Sequence, residues 1–220
     1  MHKHWMGLVV TGLAAIASLV AWPYLPEHVV THWNASGVPN GYSPRWLAAT
    51  LLPAIIVGVW GLAQIFPKID PRSVNYARFI DTYWLVMNAI LVFMGAVHAV
   101  ILGNGVGWAL PVEKLVPAGV GLLFAMLGNY LSRVQPNWFL GIRTPWTLSS
   151  DKVWRKTHRI GGALFVVGGI GMVAIAFLPP AIAFHALVAI VVLVAGVPVV
   201  LSYIFWRKEH SGLTPPVDHG

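Results

Sequence analysis

Two histidines four residues apart, His28 and His32, head the short roll of side chains able to do chemistry in this chain. Pro26 suits the first position of a short helix and Glu27 suits its positive end. Asn34 and Gly37 would end that helix, and Val38-Pro39-Asn40-Gly41 reads as a turn. On such a helix His28 and His32 share one face, and two imidazoles at that spacing can grip zinc. A zinc site needs a third ligand, and only Glu27 is at hand, so no metal is expected. The alternative use of His32 and Asn34, hydrogen bonding to the loop's own turns, needs no further group.

A second polar set, Asp81, Asn88 and His98, falls within one apolar run. Ionisable groups at membrane depth are functional candidates by default. Asp81 follows Arg78 by three residues, which favours a surface ion pair at helical spacing. His98 and His185 fall toward the same end of their runs and are expected to meet in hydrogen-bonded packing. Cysteine is absent, which excludes disulfides, thiolate metal sites and cysteine nucleophiles. No H-E-x-x-H, G-x-S-x-G or glycine-rich phosphate loop occurs, and no pair of carboxylates lies in an apolar run. The sequence therefore points to a non-enzymatic protein without a cofactor.

The elements that carry these residues are set by composition. Of 220 residues, 57% are hydrophobic and 10% charged, with a mean hydropathy of +0.72. Soluble domains carry roughly 25% charged residues. Six runs reach the roughly 20 apolar residues needed to cross a bilayer: Trp5–Trp22, Trp46–Phe66, Ile80–Leu102, Leu115–Leu131, Ile160–Leu178 and Ala181–Trp206. The first resembles a signal peptide, with Lys3 ahead of it, but no small-x-small cleavage site precedes Trp22-Pro23. It reads as an uncleaved first helix. With alternating sides, only Arg45 and Lys114 of the 14 Lys and Arg fall on one face. The other face carries the rest, which makes it cytoplasmic and puts both termini inside. The net charge of +7 is then a topology signal rather than a mark of nucleic-acid binding. Trp5, Trp22, Trp46, Trp108 and Trp206 fall near span ends, as an interfacial belt requires.

The expected fold is an all-α integral membrane protein, one compact domain of six transmembrane helices. Residues 1–114 form an N-terminal half with an extracytoplasmic loop at 23–45. Residues 115–208 form a second half with a cytoplasmic loop at 132–159, and 209–220 read as a disordered tail. The two long loops follow the first and fourth helices, so the layout allows two inverted three-helix halves. Gly121 and Gly128, and Gly161-Gly162 and Gly168-Gly169, recur seven residues apart, where close helix packing is expected.

Residues 137–162 read NWFLGIRTPWTLSSDKVWRKTHRIGG. Gly141 and Pro145 bar a spanning helix there. Ser149 or Ser150 can cap a new helix with Asp151 in its first turn. Val153, Thr157, Ile160 and Leu164 continue at helical spacing into the fifth span. Lys152, Arg155, Lys156 and Arg159 would meet anionic headgroups, with Trp146 and Trp154 as interfacial anchors. Anchoring explains Arg and Trp in general, but not the string G-I-R-T-P-W-T-L.

That string, within GNYLSRVQPNWFLGIRTPWTLSSDKVWRKTHRIGG, resembles the signature of the SdpI family of bacterial multi-spanning immunity proteins. LPEHVVTHWNASGVPNGYSPR is similar to the domain of unknown function that often precedes the SdpI region. The resemblance marks Asn129, Asn137, Gly141, Arg143, Thr144, Pro145, Trp146, Thr147, Trp154, Thr157, His158, Arg159 and Gly162. In the outer loop it marks Pro26, His32, Trp33, Asn34 and Gly37, and of these His32, Trp33, Asn34 and Gly37 are the expected recognition element. Val30 stands where the family often has Pro, and Asn40 where an acidic residue is common. The resemblance implies an inner-membrane protein that protects against a membrane-active peptide. It also implies, in some members, signalling to a cytoplasmic regulator. The expected partners are membrane lipids, a secreted peptide toxin and such a regulator. The rival expectation, from the inverted layout, is a small transporter or flippase.

Overall fold

The structure is a computed structural model, and it describes residues 3–211. Helix α1 spans Met6–Ala21, and a two-stranded antiparallel hairpin follows, with β1 at His28–Trp33 and β2 at Pro39–Pro44. Helices α2 (Arg45–Ile69), α3 (Ile80–Gly105) and α4 (Val112–Leu131) come next. A short helix α5 (Pro145–Ser149) precedes α6 (Asp151–Ile175) and α7 (Pro180–His210). Six of these helices are long and apolar enough to cross a membrane. They match the six expected runs, with ends shifted by a few residues, and α6 begins earlier because its capped polar turn continues into the span. The expected start of the tail at Glu209 is corrected, since α7 runs through His210. Residues 212–220 lie outside the described residues.

Three rows of contact hold the bundle. Helices α1, α2 and α3 pack on one another around Ala14, Ile56 and Leu91. Helix α6 lies between α4 and α7, and α3 touches α4. The α4–α6 contact is glycine on glycine. A Cβ on Gly128 would sit 2.5 Å from the Gly162 carbonyl oxygen, and one on Gly121 equally close to that of Gly169. Between helices in lipid, such close backbone approach replaces the hydrophobic drive. The expected role of these glycines is therefore seen in full.

Two further expectations give way. Among the described residues the ion pair is Arg72–Asp151 at 2.8 Å, not Arg78–Asp81. His98 meets Ser18 on α1, Nε2 to Oγ 2.8 Å, rather than His185. Ser18 in turn donates to the Ala49 carbonyl on α2 at 2.7 Å, so this fully buried histidine ties three helices together.

Candidate functional site

Polar structure gathers at the two ends of the bundle. At one end the chain leaves α1 into the hairpin. The outer loop's expected short helix is corrected here to two strands. Alternate burial along β1 explains the outcome: Val29 is fully buried while His28 and His32 are exposed. Val29 and Leu25 press on Gly105 at the end of α3, where any side chain would collide with them. A β-branched run, V-V-T, suits the half-buried face of a hairpin better than a short helix.

The hairpin's tip is built by two of the marked residues. The Asn34 side-chain oxygen accepts from the amides of Ser36 and Val38 at 2.9 and 3.0 Å. Gly37 has φ +75, a left-handed conformation that here closes a hairpin turn rather than ending a helix. Its backbone lies against Glu113 in the first turn of α4. His32 Nδ1 meets Asn40 Oδ1 at 2.6 Å, and the pair is exposed. Register shifts on either side of His32 turn it away from His28, and no cluster of metal-ligating side chains occurs among the described residues. Trp33 and Asn34 instead wall a cleft of about 290 Å³ with Glu113, Lys114, Pro117 and Phe184. The cleft is apolar along Val116, Pro117, Ala183 and Phe184 and polar at the rim where Asn34 meets Glu113 and Lys114 of the first turn of α4.

At the opposite end, residues 132–150 cross the bundle mouth. Asn137 is fully buried and organises the crossing. Its Oδ1 accepts from the amides of Phe139 and Leu140 at 2.9 and 2.7 Å. Its Nδ2 donates to the carbonyls of Gln135 and Leu140 at 2.8 and 2.9 Å. Asp70, almost as buried, accepts from the Trp138 amide at 2.9 Å and from the Tyr76 hydroxyl at 3.1 Å. Burial, reinforced by the Asp70 carboxylate beside it, pushes the Tyr76 hydroxyl well above the usual tyrosine value. Asn75 adds a bond to the Pro136 carbonyl at 2.7 Å.

The next step of the crossing is locked to α6. Gly141 has φ +116, and a Cβ there would overlap the His158 ring. The Ile142 amide donates to His158 Nε2 at 3.0 Å, while His158 Nδ1 faces the Trp154 carbonyl at 2.9 Å. One nitrogen must accept and the other donate, which fixes a neutral imidazole with its proton on Nδ1. Trp154, stacked on His158, donates to the Val134 carbonyl at 2.8 Å.

Thr144 and Thr147 then form a reciprocal capping box around α5, with Pro145 at its first position. The Thr144 hydroxyl also reaches Ser202 on α7 at 3.0 Å, and the Trp146 ring meets that of Tyr203. Ser150, not Ser149, caps α6, and it donates to Glu209 at 2.6 Å. Arg72 closes the ring through Asp151 and the Leu148 carbonyl. Arg143 uses its guanidinium on the Trp138 carbonyl at 2.6 Å.

Most marked residues of this motif thus meet in one structure. Gly162 joins through the α4 contact, and Thr157 is fully buried on α6. Asn129 and Arg159 stand apart, exposed on the bundle's flank. Sequence reasoning did not single out Asp70, Tyr76 or Arg72. Their partners in the crossing and α6 lie 61 to 79 residues away in the chain, so no local pattern reports those contacts.

Residues 133–205 match the model of the SdpI/YfhL protein family, and residues 9–57 match that of a domain of unknown function, DUF1648. The first match covers the crossing, α6 and most of α7; the second covers α1, the hairpin and the first half of α2. The chain is similar to the immunity protein SdpI of Bacillus subtilis (strain 168), 22% identical over 208 residues. That alignment covers 94% of this chain and 98% of the relative. No solved structure matches the chain.

Proposed function

This chain is a multi-pass membrane protein of the SdpI/YfhL family, and from that premise we propose that it confers immunity to a membrane-active peptide. The observation that carries the reading is the cleft in which Trp33 and Asn34 of the hairpin face Glu113 and Phe184. An apolar floor with a polar rim suits an amphipathic segment arriving from the membrane surface. The hairpin faces the outside of a bacterial inner membrane, both termini are cytoplasmic, and the crossing at 132–150 forms the cytoplasmic platform. The positive-inside bias supports this orientation, since only Arg45 and Lys114 lie at the hairpin end. The protein acts by binding and not by catalysis, and its platform is the surface offered to a cytoplasmic regulator.

The test is a deletion strain challenged with a panel of membrane-active peptides. Restoring the wild-type gene should protect against at least one, and Trp33→Ala should abolish protection at normal membrane levels. Protection unchanged by Trp33→Ala and by Glu113→Ala removes the cleft from the reading. A cysteine at Ser36 should label with an impermeant reagent in intact cells and one at Ser149 should not; the reverse inverts the topology.

A further inference from the structure

The arginines of this chain divide into those with a protein partner and those without. Arg45 bonds the Pro26 carbonyl, Arg72 pairs with Asp151, Arg133 lies over the Tyr130 ring and Arg143 bonds the Trp138 carbonyl. Arg78 and Arg207 have no carboxylate or carbonyl partner for their side chains among the described residues, and neither have Arg155 and Arg159. The last two are one helical turn apart on α6 and share a face of it. With Lys156, Ser132 at the end of α4, Ile160 and Phe205 of α7, they line a cavity of about 540 Å³. Glu209, the nearby carboxylate on α7, is already engaged by the Ser150 hydroxyl. Three cations and a hydroxyl therefore converge on a concave site with no anion of the protein's own.

Position supplies the rest. The cavity sits where α6 and α7 leave the apolar region, and Ile160 and Phe205 form its apolar wall. Lys156 lies over the Phe205 ring, 5.8 Å from its centre. A free phosphate ion would use the cations and leave that wall unoccupied. A phospholipid uses both: its phosphate takes the two guanidiniums, and an acyl chain follows Ile160 along the helix. We propose that this cavity is a specific site for one anionic phospholipid, held by Arg155 and Arg159 with Ser132 and Lys156 beside them. A guanidinium suits it because its planar fork matches two phosphate oxygens at once. Basic pockets between membrane helices recognise headgroups by this chemistry.

Native mass spectrometry of the detergent-purified full chain, titrated with phosphatidylglycerol or phosphatidylcholine, tests the site. Wild type should retain one phosphatidylglycerol in preference to phosphatidylcholine. Arg155→Gln with Arg159→Gln should weaken that binding about twenty-five-fold, roughly a factor of five for each cation near a headgroup. The matched pair Lys68→Gln with Arg78→Gln removes the same net charge at the ends of α2 and α3, away from the cavity's lining, and should leave binding within about twofold of wild type. Equal losses from both pairs would mean that diffuse charge alone attracts lipid, and would overturn the proposal. So would a wild type without preference, or displacement of the lipid by millimolar inorganic phosphate. All four substituted residues are exposed, and unchanged circular dichroism confirms that the variants remain folded.

Discussion

The hairpin and the crossing at 132–150 close opposite ends of one bundle by opposite means. The hairpin is held by a backbone ladder, with Asn34 turning its tip, and its polar side chains lie at the surface: His28, His32, Asn34 and Asn40 are all exposed. The crossing has only a five-residue helix of its own, and its backbone groups are satisfied by buried side chains such as Asn137, Asp70, Thr147, Trp154 and His158. A ladder tolerates many sequences, because every residue brings the same amide and carbonyl. An irregular crossing needs one side chain of the right shape at each turn, since a buried unpaired amide costs about 1–3 kcal/mol. That is why the crossing has a recognisable sequence, and why the hairpin is free to present its side chains to a partner.

Asn137→Ala attacks the comparison where it is strongest. Four bonds to the backbone go at once, and the expected loss is roughly 3–5 kcal/mol of unfolding free energy, read by thermal or denaturant unfolding in detergent. Little change would mean that the crossing is not held by its side chains.

Gly141→Ala should come next, at roughly 2–3 kcal/mol, because it meets both a positive φ and the His158 ring. The His158 contact separates the two causes. Combining it with His158→Ala should recover part of the loss, leaving the conformational share.

Alkaline titration gives a smaller and directional effect. Unfolded tyrosine ionises near pH 10 whereas buried Tyr76 resists ionisation, so its contribution is present below that pH and is lost as pH rises beyond it. In Tyr76→Phe, stability should fall less steeply above about pH 10, whatever its starting value. An unchanged slope would show that Tyr76 is not buried as described.

The smallest effect belongs to the hairpin. His32→Ala breaks one exposed contact, to Asn40, and should change stability by less than about 0.5 kcal/mol. A large loss would show that the hairpin, too, depends on particular side chains.

Legibility in the sequence follows the same division. The six spans, the Ser150 cap and the glycine seam were readable because each depends on neighbours at fixed spacing. Gly141 and Pro145 announce the turn around Arg143, but not that its partner is the Trp138 carbonyl. The hairpin was misread as helical because two histidines four apart and an Asn-x-x-Gly stop mimic a short helix. What decides for strand is the burial of Val29 against Gly105, a contact between segments more than 70 residues apart. His98 is hydrogen-bonded as expected, but its neighbour is Ser18 and not His185, since apolar periodicity does not say which helices adjoin.

The glycine seam between α4 and α6 has a mechanical consequence. Two backbones touching at Gly121–Gly169 and Gly128–Gly162 have no side chain between them to compress or re-orient. Close contact there resists compression, so a tilt of one helix against the other would turn on the seam as on a fulcrum. The arms are set by the ends already described: Glu113 and Ala176 at the cleft, Ser132 and Arg155 at the basic cavity. Prying at one end of such a lever moves the other in the opposite sense, with no relay of side chains in between.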